Sequence, residues 1–552
     1  MRNFAYFHCY VEELWEGYER NGLIKQRFGI RCPHSIDMDE GLLFNSVLKK
    51  DGKLYNYIKE KRCGLYVDRL QGGGYIHPYD FDYGLIEEYR QMLGDDFLGF
   101  QMHEWLSNYK HDVGFKLEEL AAEEWTEENI TRMVREKYPF PHLFLESMTA
   151  KEHDLAGKPQ DVYRFYKNMT ETYRRRAEKL PLVPCDSYFL MYPFEAKNGA
   201  KVIMPEIGAQ ISDMRLQMCF ARGVCGAYHI KLGAYYEPWG GEPFTVCSYH
   251  KNNRNEWGIK SSSDFPFEVG GVNGGSSRSL QWRAHLYAYL SGAEFISEEW
   301  GGYNTFTETE TYQLSEYGLV KKRFLDFVEK YPDIGDKVAP IGAVISNRLP
   351  CFTLDGFGSG DICEMFGYPL DEELMKLNVA AKLGARRIFQ NAVDMQGNEA
   401  RVLINSNVPD AVDMLDEGDG SALKKYRFLI DMTGEDDFWQ KHDNCISPDE
   451  VEEKLYELLP CHVDGGFHYL LNECEGGYYL SVFNHSGIVR TQKNGDEIMP
   501  SATKTAKITT KENGKLIPLE GNCGVCFDGQ TYSVTLNGGD WLFAKIVTDA
   551  RI

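Results

Sequence analysis

AEFISEEWGG (293–302) is a short apolar run that ends in two carboxylates, a tryptophan and paired glycines. A run of this length bounded by turn formers reads as a buried strand. The same texture recurs in RFGIRC (27–32), GLYVDRL (64–70), FLGFQM (97–102), SYFLM (187–191), KVIMPEI (201–207), GAYHIKLGAYY (226–236) and PIGAVIS (340–346). With AEFIS (293–297) these make eight candidate strands, and HLFLESM (142–148) competes for a place. Amphipathic stretches separate them. In 160–180, Val162, Phe165, Tyr166, Met169 and Tyr173 recur at helical spacing, and Leu280 to Leu290 follows a GGSSRS stretch that supplies N-cap residues. Strands alternating with helices in this number predict a (β/α)8 TIM barrel.

The chain has 552 residues, too many for one hydrophobic core. After the barrel, a helix-like stretch (373–387) and strand-like runs (401–405, 426–434) predict a small open α/β domain of flavodoxin- or amidotransferase-like type. A helical segment at 449–459 then gives way to short alternating runs such as GGYYLSVFNH, YSVTLN and WLFAKIV, separated by Gly, Asn and Asp. These predict a C-terminal β-sandwich. The expected division is 1–335, 336–448 and 449–552.

The formal charge of −23 lacks the basic footprint that nucleic acid or an anionic membrane requires. The N-terminal apolar run is broken by Glu12 and Glu13, no segment is long enough to span a bilayer, and the fourteen cysteines are scattered through apolar runs. The expectation is a cytoplasmic protein with reduced thiols. Cys523 and Cys526 form a C-x-x-C with no second pair or nearby histidine, so a turn between strands is expected there rather than zinc.

Reactive groups of a barrel project from the C-terminal ends of its strands. Here those ends carry Asp68 and Arg69, then His103, Glu104 and Trp105, then Glu206. Later come Tyr236, Glu237 and Trp239, and finally Glu298, Glu299, Trp300 and, just beyond, Asn304. Glutamates on several strand ends suit glycosidic cleavage, which needs one carboxyl protonated and another ionised. Aromatic residues, at 13% of the chain, suit the C–H faces of sugar rings. No H-E-x-x-H, G-x-S-x-G, P-loop or dinucleotide fingerprint is present, and no metal or cofactor is expected.

These residues resemble a family. SGAEFISEEWGGYNTF (291–306) looks like the seventh-strand segment of clan A retaining glycoside hydrolases, where the strand ends in the nucleophilic glutamate. The domain order is similar to family 42 β-galactosidases and to the related galactosyl–hexosamine phosphorylases. The resemblance places the nucleophile on Glu299, with Glu298 its rival by one register step. Clan A members usually carry the acid/base in an Asn-Glu pair after strand four. Glu206, counted here on the fifth strand, is preceded by proline; it ranks first for that role, then Glu104, with Glu256 and Glu195 behind. Asp68, Arg69, His103, Trp105, Tyr236, Trp239, Trp300 and Asn304 are expected to contact sugar. The implied activity is a retaining, exo-acting glycosidase on a small carbohydrate, in a homo-oligomer. The alternatives are an inverting phosphorylase using Arg278 or Arg254 for phosphate, and a non-catalytic sugar-binding protein.

Overall fold

A computed structural model describes residues 4–32, 36–37, 41–71, 81–103, 170–186, 189, 191–208, 214–238, 277–299 and 301–345. In the C-terminal part it describes 392–393, 399–400, 407–416, 420–433, 438–484, 488–491, 495–498 and 503–548, and single residues at 172, 512 and 522 are left out. Predicted segments 142–148, 373–387 and 401–405 lie outside the described residues, as does most of 160–180.

Eight parallel strands close into a barrel in chain order: β1 Ala5–Cys9, β2 Phe28–Cys32, β3 Gly64–Gln71, β4 Phe97–His103, β5 Leu182–Asp186, β6 Val202–Gly208, β7 Lys231–Glu237 and β8 Phe295–Glu298. Closure comes from β1 against β8, with Ala5 opposite Phe295 and Phe7 opposite Ser297. The TIM barrel is therefore present, but its strand set differs from the expected one. The first strand is AYFHC, which alternates between barrel interior and helix layer. The fifth is Leu182–Asp186 rather than 187–191, and the seventh starts at Lys231 because Met214–Tyr228 is helical. The run at 340–346 is not a barrel strand. Glu206 thus stands on the sixth strand rather than the fifth, and AEFIS is the eighth rather than the seventh.

Five helices matter below: α1 Lys53–Lys61, α2 Met191–Lys197, α3 Met214–Tyr228, α4 Arg278–Leu290 and α5 Glu316–Lys330. Ser277 caps α4 as the polar GGSSRS stretch implied, its hydroxyl accepting from Leu280 N at 3.0 Å. Residues 280–290 of α4 are all buried, as befits a helix covered on every side. One side faces the barrel; elsewhere Trp282 packs edge-on against Trp541, and Asn472 donates to the Leu290 carbonyl.

Strand β9 Asp336–Lys337 precedes a four-stranded parallel sheet, which runs in the order β11 Val412–Asp416, β10 Ile341–Ile345, β12 Phe428–Met432, β13 Cys445–Ile446. The helical segment near 449–459 is Val451–Leu458. Two antiparallel sheets follow. One joins β14 Cys461–Asp464, β17 Lys504–Thr510, β20 Tyr532–Leu536 and β19 Val525–Phe527. The other joins β9, β15 His468–Cys474, β16 Gly477–Phe483, β21 Trp541–Val547 and β18 Lys515–Glu520. Cys523 lies between β18 and β19, and both it and Cys526 are free thiols.

Helix α3 is where barrel and C-terminal sheets meet. A Cβ at Gly223 would collide with the Met414 backbone, so glycine there permits close approach to β11. Charges lock the contact. Arg215 binds Asp410 bidentately at 3.1 and 2.6 Å, and its Nη1 lies 2.7 Å from His468 Nε2. Arginine only donates, so His468 accepts through an unprotonated Nε2. Arg222 pairs with Asp413 at 3.0 Å and caps the Pro409 and Val412 carbonyls. Removing one partner of such a buried pair leaves a stranded charge. Arg215→Ala is expected to lower stability by about 3–5 kcal/mol. An unchanged denaturant midpoint would refute this junction as a stabilising element.

Behind β5, Glu195 on α2 is buried and neither of its oxygens meets a hydrogen-bond donor. Burial, and then the charge of Asp186, push its carboxyl well above the usual range. The folded state therefore holds this proton more tightly than the unfolded chain. The stability it contributes is full below the ordinary carboxylate range and is lost as pH rises towards the folded value. Between about pH 5 and pH 8, Glu195→Gln should lose less thermal stability than the wild type. Parallel pH curves for the two proteins would contradict this.

Candidate active site

The barrel interior is a separate apolar cluster containing Phe7, Tyr66, Leu98, Val183, Cys185, Val202, Met204, Tyr235 and Phe295. Successive residues of a strand face opposite sides, so this cluster sets the inward parity of each strand. Two residues on from Tyr66, Met204 and Tyr235 stand Asp68, Glu206 and Glu237, and two on from Ser297 stands Glu299. The sequence thus places these carboxylates at the C-terminal mouth by parity alone. A register shift in β4 beside Gly99, which has φ of 114°, falls between the inward-facing Leu98 and His103.

Three of the acids converge. Glu206, Glu237 and Glu299 are 1%, 3% and 1% exposed, and one oxygen of each lies within 4.8 Å of those of the other two. Three ionised carboxylates at this spacing repel one another. His103 Nε2 lies 3.6 Å from Glu206 Oε1. His103, Cys185 and Glu206 also bring ligand atoms within 4.8 Å of each other, so either trio has donors suited to a divalent cation. Burial and then the Glu206 charge hold the Cys185 thiol well above its usual range, which keeps it protonated.

Across the mouth, Asp68 pairs with Arg31 at 2.6 Å, both nearly inaccessible. Arg31 also donates to the Glu298 carbonyl and lies over the Tyr235 ring at 5.1 Å, tying β2 to β3, β7 and β8. Tyr66 donates to Ser297 Oγ at 2.7 Å just beneath. The Glu299 amide donates to the Tyr236 carbonyl at 2.9 Å, which anchors that residue one step beyond β8.

Glu298 points the other way. Its oxygens meet Lys321 of α5 at 2.8 Å and both His285 and Gln281 of α4 at 3.1 and 3.0 Å. Burial pushes its carboxyl up, but Lys321 and His285 outweigh this and hold it well below the usual range. It is an anchor between β8 and the helices and does not face the mouth. Tyr236 shares that outward parity, with its ring 5.0 Å from His285, so it does not reach sugar as expected. Glu195 belongs to the layer behind β5. Asn304 is buried in a short helix, Gly301–Asn304, and Arg69 lies on β3. Arg278, expected to bind phosphate in a phosphorylase, stacks over Tyr317 at 3.4 Å. Glu104, Trp105, Trp239, Trp300, Arg254 and Glu256 lie outside the described residues.

Glu237 stood at a strand end in the sequence but was given no role there, and Arg31 and Cys185 were absent from the expected set. Glu237 had a legible signal, since YYEPWGG repeats the glutamate, tryptophan and paired glycines of SEEWGG. Arg31 was hidden as a single charge in an apolar strand. Cys185 was hidden by Pro184, which argues against a strand through that position.

Among the described residues, no helix is long and apolar enough to cross a membrane. No protein-family model matches the sequence, and no curated protein matches it. Among solved structures, the chain is similar to α-L-fucosidase isoenzyme 2 from Paenibacillus thiaminolyticus, with 10% identity over 100% of both chains and a TM-score of 0.45. It is also similar to a rhamnosidase from Novosphingobium sp. PP1Y, with 9% identity over 85% of this chain and 47% of that one, at a TM-score of 0.31.

Proposed function

We propose that this protein is a glycoside hydrolase that cleaves a small glycoside or oligosaccharide end at the C-terminal mouth of the barrel. The observation that carries the reading is the convergence of Glu206, Glu237 and Glu299, buried and within 4.8 Å, from three adjacent strands. Cleavage requires a carboxylate to attack or activate water and a carboxylic acid to protonate the leaving oxygen. Retaining pairs stand about 5–5.5 Å apart, whereas inverting pairs leave roughly 6.5–9.5 Å for a water. The spacing here supports the retaining route.

The strand count reorders the roles. The resemblance assigns the nucleophile to the end of strand seven, which is Glu237; Glu299, on strand eight, becomes the neighbouring acid. A Glu237 oxygen attacks the anomeric carbon while Glu206 gives its proton to the departing oxygen. The ionised Glu206 then takes a proton from water, which cleaves the glycosyl ester and restores both groups. His103 beside Glu206, and Asp68 held by Arg31, are placed to bind sugar hydroxyls.

The test is turnover of aryl α- and β-glycosides by wild type and by the Gln variants of Glu206, Glu237, Glu299 and Glu298. Glu237→Gln and Glu206→Gln should each lose at least about 100-fold in kcat. Glu298→Gln should chiefly lose stability, because it strands Lys321 in a buried site. Azide should restore turnover to Glu237→Ala with formation of a glycosyl azide. Near-wild-type rates in both Glu206→Gln and Glu237→Gln would sink the assignment. The metal-capable trios make a chelator arm worthwhile, and loss of turnover in EDTA would favour metal-assisted hydrolysis. Turnover only with added phosphate would favour a phosphorylase.

A further inference from the structure

The N-terminal mouth of the barrel, opposite the carboxylates, opens into a cavity of about 620 Å3. It is lined by the opening residues of six strands, among them Ala5, Phe28, Gly64, Lys231 and Phe295. Such a volume lies within the range of small-molecule sites. Glycine creates the room. Phe7 fills the space that side chains at 29 and 64 would need, and Phe295 fills that of a side chain at 233. Those two rings, 3% and 2% exposed, form an apolar floor.

The rim is charged and two-sided. Arg27, Lys61, Arg62 and Lys231 contribute cations; Asp95, Asp96 and Glu294 contribute carboxylates. Lys61 pairs with Glu60 at 3.0 Å, and Lys231 donates to the Asp95 carbonyl at 2.6 Å. Among the described residues, the guanidiniums of Arg27 and Arg62 make no ion pair or hydrogen bond, in a chain whose formal charge is −23. Arg62 also occupies the left-handed cap of α1, with φ of 50°, a position that favours glycine. An arginine held against that preference thus lines the same cavity as the aromatic floor and the three carboxylates, an arrangement suited to a ligand.

We propose that this cavity binds a sugar phosphate. The two free guanidiniums take the phosphate dianion, which matches their paired donors and charge better than a single carboxylate does. Asp95, Asp96 and Glu294 accept from ring hydroxyls, and Phe7 and Phe295 meet the apolar ring face. The site lies at the barrel end opposite the chemistry and does not depend on the glycosidase reading.

Isothermal titration of the full chain at low salt, with glucose 6-phosphate, glucose and inorganic phosphate as probes, tests this. Glucose 6-phosphate should bind more tightly than either fragment. Arg62→Gly suits the left-handed cap, keeps the fold, and should weaken binding roughly tenfold, the effect of one lost charged hydrogen-bonding partner. Arg27→Ala combined with Arg62→Gly should abolish it, with unchanged thermal unfolding, while Glu237→Gln should bind as wild type does. No binding of glucose 6-phosphate at millimolar concentration, equal binding by the double variant, or loss of binding in Glu237→Gln would each overturn the proposal.

Discussion

Closure of eight strands into a barrel forces neighbouring residues onto opposite sides of one wall, and the chemistry of this molecule follows from that division. Glu298 and Glu299 are adjacent in sequence, yet one is neutralised among Lys321, His285 and Gln281 in the helix layer while the other joins Glu206 and Glu237 inside. The outer residue holds the strand end in place; the inner one is thereby aimed. A one-residue slip of β8 would exchange them, turning Glu298 inward and Glu299 towards the helix layer. The anchor and the acid are two consequences of a single register.

Buried charge is handled in two distinct ways. Arg31 with Asp68, Arg215 with Asp410 and Arg222 with Asp413 are matched pairs with short contacts, and they sit where strands or layers must be joined. Burial is tolerated there because each charge has a partner and further hydrogen bonds. The mouth carboxylates and the Asp186–Glu195 pair instead group like charges, and in the second case burial and the Asp186 charge hold the Glu195 carboxyl well above its usual range. Clustered acids contribute nothing to stability that an apolar group would not, so their gathering at the strand ends marks this mouth as the candidate site.

The barrel was legible because strands with terminal carboxylates recur at regular intervals, but the strand count was not. A fully buried parallel strand carries no period-two signature, so IGAVI of the parallel sheet looked like a barrel strand. AYFHC, whose Tyr6 and His8 face the helix layer as polar-tipped aromatics, did not. Those two errors compensate in number and shift every position by one. That is why the sequence reading set Glu299 at the end of the seventh strand, where the structure has Glu237. Glu206, Glu299, His103 and Asp68 were recoverable from strand ends alone. The convergence of Glu237 with them, and the outward turn of Glu298 and Tyr236, depend on register, which short apolar runs leave open.

The two mouths of the barrel are built from opposite ends of the same strands, and their contents are complementary in volume. At the base, Phe7 and Phe295 are accommodated only because positions 29, 64 and 233 are glycine. These two rings, with no side chains at positions 29, 64 and 233, line the cavity at that end. Higher up, Tyr66 and Tyr235 close the interior, and the hydroxyl of Tyr66 reaches Ser297 across it. This tyrosine layer lies between the acidic mouth and the basal cavity. The strands themselves connect the base to the mouth. β7 and β8 each have their first residue at the cavity, and Glu237 ends β7 while Glu299 follows β8 directly.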